Sequence, residues 1–281
     1  MNKLLWADLT RLKKNKIFWI CVAGMFLFGT VLALNKYRQG VQLGWIGMEN
    51  FRLDDFFTEY GPMIGIFCAV FSGLFVGTDY SDGTIRNKIN IGHSRRDIYL
   101  SNLIVCSIAG LVILAGWFLS IFTVGVALFG WFAELTVLNI ISYILISIFL
   151  VFSSSAIFVM LGMLISNKAN AAVASILVFL GMLLLASYMD SRLSEPESYV
   201  EALTVTENGV ELSEPKLNPD YVTGVKRQIF EFIRAFIPMG QGILISNRNV
   251  THPVPMILYS IFLTFALTWI GIKIFTKKDL K

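Results

Sequence analysis

Charged residues are scarce in this sequence. Aspartate, glutamate, lysine and arginine make up 15% of its 281 residues, whereas 56% are hydrophobic. A soluble domain of this length needs more polar side chains to cover its surface, so the composition excludes that class and indicates an integral membrane protein. The charges are also unevenly placed, because six long blocks of the sequence contain none.

Residues that bind metals or form disulfides are few as well. The two histidines, His93 and His252, lie in different polar segments, so we expect no metal site and no catalytic residues, which excludes an intramembrane enzyme. The three cysteines, Cys21, Cys68 and Cys106, fall within or near the uncharged blocks. We interpret them as small apolar side chains without a disulfide.

The sequence also lacks a G-x-x-x-x-G-K-S/T phosphate loop, so ATP hydrolysis by this chain is not expected. The absence of ionisable residues from the six blocks argues against a proton-coupled secondary transporter. A sodium-coupled secondary transporter, whose ion is held by carbonyl and hydroxyl oxygens, stays open as an alternative.

Each uncharged block can cross about 30 Å of hydrocarbon, which takes about 20 residues of α-helix. None shows the alternating pattern of barrel strands. We therefore predict an all-α polytopic membrane protein, a single domain over residues 1–281 with six transmembrane helices. The predicted spans cover residues 17–34, 61–78, 103–129, 135–165, 169–189 and 253–272.

The basic residues predict the orientation. If both termini are cytoplasmic, 14 of the 23 lysines and arginines lie inside, but only five of the 19 acidic residues do. This asymmetry satisfies the positive-inside rule. We expect the basic flanks to contact anionic membrane lipids and not nucleic acid.

The first sixteen residues are amphipathic, with Leu5, Leu9 and Leu12 on one helical face. They predict a helix on the inner membrane surface over residues 1–16. A basic flank that only sets the topology is the alternative.

A second amphipathic segment lies in the large outside region, residues 190–252. The acidic first part of this region predicts a β-hairpin that turns at the sequence ENG. Its second part predicts a helix over residues 222–237, which is too polar to span and should lie at the outer interface. The predicted interfacial side chains include Ile229, Phe232, Ile233 and Phe236.

The loop between the first two spans also shows helical spacing, which predicts a short interfacial helix. Its apolar residues are Leu53, Phe56, Phe57 and Tyr60. We interpret the loop acids Asp54, Asp55 and Glu134 as solvated charges.

Small residues recur every four positions along the second span. They are Gly61, Gly65, Ala69, Gly73 and Gly77. Such a stripe lets another helix approach closely. A substrate groove along the stripe is the alternative.

A polar segment, DYSDGTIRNKINIGHSRRDIY, separates the second span from the third. We call residues 79–101 the elbow and predict a short helix, a glycine turn and a newly capped helix. The predicted caps are Ser81 or Asp82 at the first helix, Gly92 at its end, and Ser94 with Asp97 at the third span.

The elbow has the composition of a protein-docking surface. Ile85 and Ile89 share a helical face and predict an apolar knob, with Arg86, Asn87 and Lys88 as a polar rim. The alternative is that the basic residues of the elbow only anchor the topology.

The phrase GTDYSDGTIRNKINIGHSRRDIYLSNL resembles the loop between spans two and three of ABC-2-type transporter permeases. The ending FTKKDLK, the six-span order and the two amphipathic segments are also similar to that family. Asp79 in place of the commoner Glu and Ile89 in place of Leu are departures from its pattern.

The resemblance implies a bacterial plasma-membrane permease of the lantibiotic and bacitracin group, which exports or gives immunity to amphipathic peptides. A non-transporting peptide sensor is an alternative. It also implies a homodimer or a related second permease, and a separate ATPase subunit that binds ATP and Mg. In that family the elbow helix is a coupling helix that contacts the ATPase. The contacts carried over by position are Ser81, Asp82, Thr84, Ile85, Arg86, Asn87, Lys88 and Ile89.

Overall fold

The structure is a computed structural model that describes residues 1–44, 51–199, 203–206, 209–212 and 215–279. Within these residues, six helices are long and apolar enough to cross a membrane. The prediction of an all-α polytopic membrane protein with six transmembrane helices is therefore confirmed. We call the end of the bundle that carries the elbow the inner end, and the opposite end the outer end.

The spanning helices extend past most of the predicted limits. The third span is one continuous helix of two α-helical parts joined by a π-helical turn, Ile121–Gly125. The spans are α2 (Lys16–Gly44), α3 (Gly61–Ser81), α5 (Arg95–Ser120) with α6 (Val126–Phe129), α7 (Val137–Leu164), α8 (Lys168–Ser194) and α11 (Pro253–Lys277).

The remaining elements lie at the two ends of the bundle. The inner end has α1 (Asn2–Lys14) and α4 (Thr84–Asn90). The outer end has a 3-10 turn (Leu53–Asp55), β1 (Ser198–Tyr199), β2 (Leu203–Thr206), β3 (Gly209–Leu212), β4 (Lys216–Leu217), α9 (Gly224–Phe236) and α10 (Pro238–Ser246).

The acidic outer segment contains the predicted hairpin. Strand β2 pairs antiparallel with β3, and β1 pairs with β4 outside them. Two residues of the predicted turn, 207 and 208, lie outside the described residues.

Helix α3 lies at the centre of the bundle, and its small-residue stripe has close neighbours along its whole length. A Cβ atom added at Gly61 would lie 2.0 Å from the carbonyl oxygen of Gly242 in α10. One added at Gly77 would lie 2.9 Å from the Cα atom of Lys168 in α8. Gly65 and Gly73 meet the same two helices, through Met239 and Ala172. The stripe therefore packs against α10 and α8.

The outer region enters the bundle, which the sequence did not predict. Helix α10 follows α9 after a bend of 94° and is buried from Pro238 to Ile245. Its Gln241 is fully buried and donates to the carbonyl oxygens of Ala235 at 2.9 Å and Met256 at 3.0 Å. The Gln241 carbonyl accepts from Ser260 Oγ at 2.8 Å. These bonds join α10 to the end of α9 and to α11.

Helix α9 has the predicted amphipathic character. Phe232 and Ile229 are about half exposed, and Phe232 packs its ring edge against Tyr259 of α11 at 5.6 Å. The ring centre of Phe236 lies 5.8 Å from that of the same tyrosine, and Ile233 is half-buried. The placement of this helix at the outer membrane interface stays a prediction.

The loop before α3 does not form the predicted interfacial helix. Leu53, Phe56, Phe57 and Tyr60 all have 0% exposure, because they pack inside the outer end of the bundle. The Phe57 carbonyl accepts a hydrogen bond from Trp117 Nε1 at 3.0 Å. Helical spacing was a correct sign of a shared face, but that face contacts protein instead of lipid.

The interpretation of Asp54 as a solvated charge is wrong. Its carboxylate is fully buried and accepts backbone N–H bonds from Ala133 at 2.9 Å, Glu134 at 3.1 Å and Leu135 at 2.7 Å. Burial by itself would raise the pKa of Asp54, but these three donors outweigh it and hold the pKa below its ordinary value of 3.8. The charge therefore ties the first outer loop to the start of α7.

The other two loop acids form exposed ion pairs. Glu134 pairs with Arg52 at 2.9 Å, and Asp55 pairs with Arg248 at 3.3 Å. Exposed pairs of this kind contribute little to stability.

Replacing Asp54 by asparagine is expected to remove a pH-dependent part of the stability. Because the folded-state pKa lies below 3.8, the ionised carboxylate stabilises the fold above that pH, and this stabilisation is lost as the pH falls through the folded-state value. Hydrogen bonds to a charged group contribute about 1.5–3 kcal/mol. The D54N variant should be about 2 kcal/mol less stable than wild type at pH 7, and the difference should shrink below pH 3.8.

The measurement is chemical unfolding of the purified protein in detergent at several pH values. Asp82→Asn, which changes an exposed acid, is the matched control, and its stability should differ little from that of wild type at every pH. A D54N difference that does not change with pH would contradict the assignment.

Candidate functional site at the elbow

Two glycines with positive φ angles shape the elbow. Helix α3 continues to Ser81, and Gly83, with φ +67°, is the N-cap of α4. The expected caps Ser81 and Asp82 therefore do not start α4, because they belong to the end of α3. Gly92, with φ +98°, ends α4, and its N–H donates to the Ile89 carbonyl at 2.9 Å. Left-handed backbone at both positions favours glycine.

Helix α5 begins with a side-chain cap directly after this turn. Ser94 is the N-cap, and its Oγ accepts from the Asp97 N–H at 3.0 Å. The chain thus reverses direction between α3 and α5 over a short, well-defined segment.

The inner face of α4 is buried against the rest of the chain. Ile85 has 1% exposure, so it is not part of an exposed knob as the sequence suggested. Lys88 is 8% exposed, and its Nζ donates to Asp8 Oδ1 at 2.8 Å and to Asp79 Oδ2 at 3.0 Å. Two predicted docking residues therefore hold α4 in place and do not face outward.

The ion pairs of Lys88 belong to a larger group, which we call the ionic cluster: Asp8, Arg11, Asp79 and Lys88. Arg11 pairs with Asp79, and its guanidinium lies 3.8 Å from the centre of the Phe75 ring. Asp8 has 2% exposure and Asp79 has none. The cluster joins α1, the end of α3 and α4 at one point.

Helix α5 completes the cluster with neutral donors and acceptors. Ser101 Oγ donates to Asp8 Oδ2 at 2.7 Å, and Arg11 Nη2 donates to Asn102 Oδ1 at 3.5 Å. Ser101 and Asn102 are both fully buried. Helices α1, α3, α4 and α5 are therefore connected through these polar contacts.

In the ionic cluster, the cost of burying each charge is offset by an opposite charge. Burial lowers the pKa of Lys88, and the attraction and hydrogen bond of Asp8 oppose that change. Burial likewise lowers the pKa of Arg11, against the attraction of Asp8. Two carboxylates and two cations compensate one another, and removing one would leave an uncompensated buried charge.

Helix α1 packs differently from its prediction. Its buried residues are Leu4, Asp8 and Leu12, whereas Trp6 is 68% exposed. Of the expected apolar face, Leu12 is buried and Leu5 and Leu9 are half-buried, and α1 lies against α5. The placement of α1 on the inner membrane surface stays a prediction. Leu4, Asp8 and Leu12 are spaced by four residues and share one helical face. An acid on an otherwise apolar face was the signal in the sequence that a buried partner charge exists.

A second group of contacts ties the elbow to the ends of α7 and α11. Arg95, at the start of α5, donates to the carbonyl oxygens of Phe275 and Thr276, each at 3.2 Å. Lys278 Nζ donates to the last carbonyls of α7, Met163 at 3.1 Å and Leu164 at 3.0 Å. The ending FTKKDLK thus supplies a cation to the negative end of a neighbouring helix dipole.

Tyr80, beside Asp79 in α3, joins these contacts. Its hydroxyl donates to the Met163 carbonyl and lies 3.1 Å from Lys278 Nζ. Burial lowers the pKa of Lys278 below the ordinary lysine value. The elbow, which joins α3 to α5, is therefore bonded to α1 and to the ends of α7 and α11.

The exposed side of the elbow faces away from the bundle. Ile91 is 78% exposed, a large value for an isoleucine, and Arg86, Asn87 and Asn90 are also exposed. Of the predicted contacts, Ser81, Asp82, Arg86 and Asn87 are exposed, Thr84 and Ile89 are half-buried, and Ile85 and Lys88 are buried.

The elbow lies within a sequence match to a known family. The family model described as ABC-2 family transporter protein matches residues 4–201 of this chain. The chain belongs to the ABC-2 transporter family. A search of the curated proteins finds no match to it.

Membership gives the ABC-2 protein its general role. It is a permease component of an ABC transporter, a multi-pass protein of the cytoplasmic membrane whose family works with an ABC ATPase subunit. The match includes α1, the elbow and the first five spans, and the ionic cluster is therefore contained in it.

Proposed function

We propose that α4 is the coupling helix of this permease and that its exposed surface binds the ATPase subunit. The observation that carries the proposal is the asymmetry of α4: one face is held by the buried ionic cluster, and the other presents exposed polar side chains. We define the elbow surface as Asp82, Arg86, Asn87, Asn90 and Ile91.

The elbow surface has the chemistry of a protein contact. Ile91 offers an apolar anchor, and Arg86 with the two asparagines offers a polar rim, which suits an interface with an apolar centre. ATP and Mg²⁺ are bound by the ATPase subunit in this proposal, since the permease has no phosphate loop.

Buried connections explain how a push on the elbow would reach the spans. A displacement of the elbow would act on α1 through Lys88, on the end of α11 through Arg95, and on the end of α7 through Tyr80. We infer that the subunit works as a pair, with a second copy or a related permease, so that two elbows meet two ATPase subunits.

We also infer an amphipathic or hydrophobic peptide as cargo. Support comes from the six uncharged blocks of the sequence and from an outer cleft of about 470 Å³ between α9, α10 and α11. Its lining combines apolar and aromatic side chains, Phe232, Met256 and Tyr259, with polar ones, Arg227 and His252. A non-transporting immunity protein would need the same ATPase contact, so ATP-dependent movement of peptide distinguishes the two roles.

The coupling proposal is tested by changing the elbow surface without disturbing the cluster. Ile91→Asp combined with Arg86→Glu is expected to weaken binding of the ATPase subunit about tenfold or more, because a central apolar anchor and its charged neighbour are both lost. The measurement is the affinity of the purified permease for its ATPase subunit, with co-purification from cells as a second readout.

The matched control is Lys13→Glu, which reverses an exposed charge of α1 at the same end of the bundle. It should bind the ATPase subunit as wild type does. Unchanged affinity in the I91D/R86E variant, with an unchanged unfolding midpoint, would contradict the coupling-helix assignment.

A further inference from the structure

A cleft opens at the inner end of the bundle, where α7 and α11 terminate. It has a volume of about 600 Å³ and is lined by Leu164, Lys273, Ile274, Lys277 and Lys278. Three lysines around one shallow cleft concentrate positive charge beside otherwise apolar helices.

Two of these lysines are free to bind an anion. Lys273 and Lys277 are four residues apart and therefore lie on one face of α11, and both are exposed. Within the described part of the chain neither forms an ion pair with an acidic side chain, and the adjacent acid, Asp279, forms none either. Lys273 Nζ lies 3.5 Å from the centre of the Trp269 ring, which fixes it on that face.

The third lysine has another role. Lys278 Nζ donates to Tyr80, Met163 and Leu164, so its donors are used and it forms the floor of the cleft. It also satisfies the last carbonyls of α7, which would otherwise repel an anion.

An apolar strip leads from the cleft toward the membrane centre. Helix α11 is the least buried span, and only Met256, Ser260, Gly271 and Phe275 are buried along it. The exposed strip above the lysines contains Phe262, Phe265, Trp269, Ile270 and Ile274.

We infer that this cleft binds the headgroup of an anionic phospholipid. Lys273 and Lys277 contact the headgroup, and an acyl chain lies along Phe265 and Trp269. Basic pockets between spans at the cytoplasmic side are suited to such headgroups, and aromatic residues with flanking lysines mark the interfacial depth where they lie.

The apolar strip is what selects a lipid over a free anion. A soluble phosphate is attracted only by the two cations, and water and salt weaken that attraction at an exposed site. A phospholipid gains from the same cations and also from the contact of its chain with the strip, so the two attractions add in one molecule.

The site also lies beside the contact between Lys278 and Tyr80, which holds the elbow to the end of α7. Lys278 touches the cleft on one side and Tyr80 of α3 on the other, so a bound headgroup lies one side chain away from the elbow. This inference does not depend on the identity of the cargo or on the ATPase contact.

The experiment titrates the purified full-length protein, in a neutral detergent, with fluorescent phosphatidylglycerol. Wild type is expected to bind it more tightly than fluorescent phosphatidylcholine. The double variant K273Q/K277Q is expected to bind phosphatidylglycerol at least about tenfold more weakly, since each lysine near a lipid surface contributes about fivefold.

The matched control is K13Q/K14Q, which removes two exposed lysines from α1 at the same end of the bundle. It should leave the affinity within twofold of wild type. The single variants K273Q and K277Q, each expected to show an intermediate loss, provide the test if the double variant does not purify as a single species.

Three results would overturn the inference. Unchanged phosphatidylglycerol affinity in K273Q/K277Q would show that the cleft is not the site. An equal loss in K13Q/K14Q would show attraction by general surface charge only. Displacement of the labelled lipid by millimolar inorganic phosphate, but not by unlabelled phosphatidylglycerol, would show a site for a free anion.

Discussion

Replacing Lys88 by methionine is expected to destabilise the inner end of the bundle by about 3–5 kcal/mol. Methionine fills a similar volume, but Asp8 then loses the cation that compensates its buried charge. Asp79 keeps Arg11, so the unpaired charge falls on α1. We expect α1 to separate from α5, and the measurements are the unfolding midpoint in detergent and the rate of proteolysis between α1 and α2.

Neutralising the acid should restore part of this loss. The double variant Asp8→Asn with Lys88→Met leaves Arg11 and Asp79 as a balanced pair. Its loss of stability should therefore be smaller than the summed losses of the two single variants by at least about 1 kcal/mol. Arg86→Met, on the exposed face of the same helix, is the control and should unfold as wild type does. If K88M proved as stable as R86M, the buried ion pairs would not be what holds α4.

Replacing Gly61 by leucine is expected to prevent normal packing of α3 against α10. Even the first carbon of the new side chain would lie 2.0 Å from the Gly242 carbonyl oxygen, and backbone cannot move aside as a flexible side chain can. Overpacking of a filled core costs about 1–3 kcal/mol and more where backbone must shift. We expect most of the protein to aggregate during purification, as judged by size-exclusion chromatography.

Gly181 provides a matched control for this change. It lies in the spanning helix α8, and a Cβ atom added there meets nothing within 4 Å. Gly181→Leu should purify as a single species with an unfolding midpoint at or above that of wild type, because leucine favours a helix more than glycine does. Equal behaviour of G61L and G181L would refute the tight contact between α3 and α10.

The spans were predictable because the property that defines each of them lies within its own segment of the sequence. A bilayer requires each crossing segment to be apolar over its own length, so the uncharged blocks locate all six helices. The ends were less predictable. The second span was expected to stop before Asp79, yet α3 includes this residue because Arg11 and Lys88 compensate its charge.

The functional surfaces were harder to predict because their causes are distant in sequence. Lys88 contacts Asp8 across 80 residues, and Asp54 contacts Ala133 across 79. No periodicity along one segment shows which face of a seven-residue helix meets a partner, and so Ile85 was assigned to the wrong side. The glycine turn and the serine cap, which depend on adjacent residues, were recognisable.

Helix α10 has a consequence for where a cargo can travel. Gln241 is fully buried and makes three hydrogen bonds, and each of these polar groups left unmatched would cost several kilocalories per mole. Separating α10 from α9 and α11 would break all three at once. The contacts that join α10 to α9 and α11 are therefore expected to persist when the permease changes conformation, so we expect a cargo to cross the membrane without separating these helices.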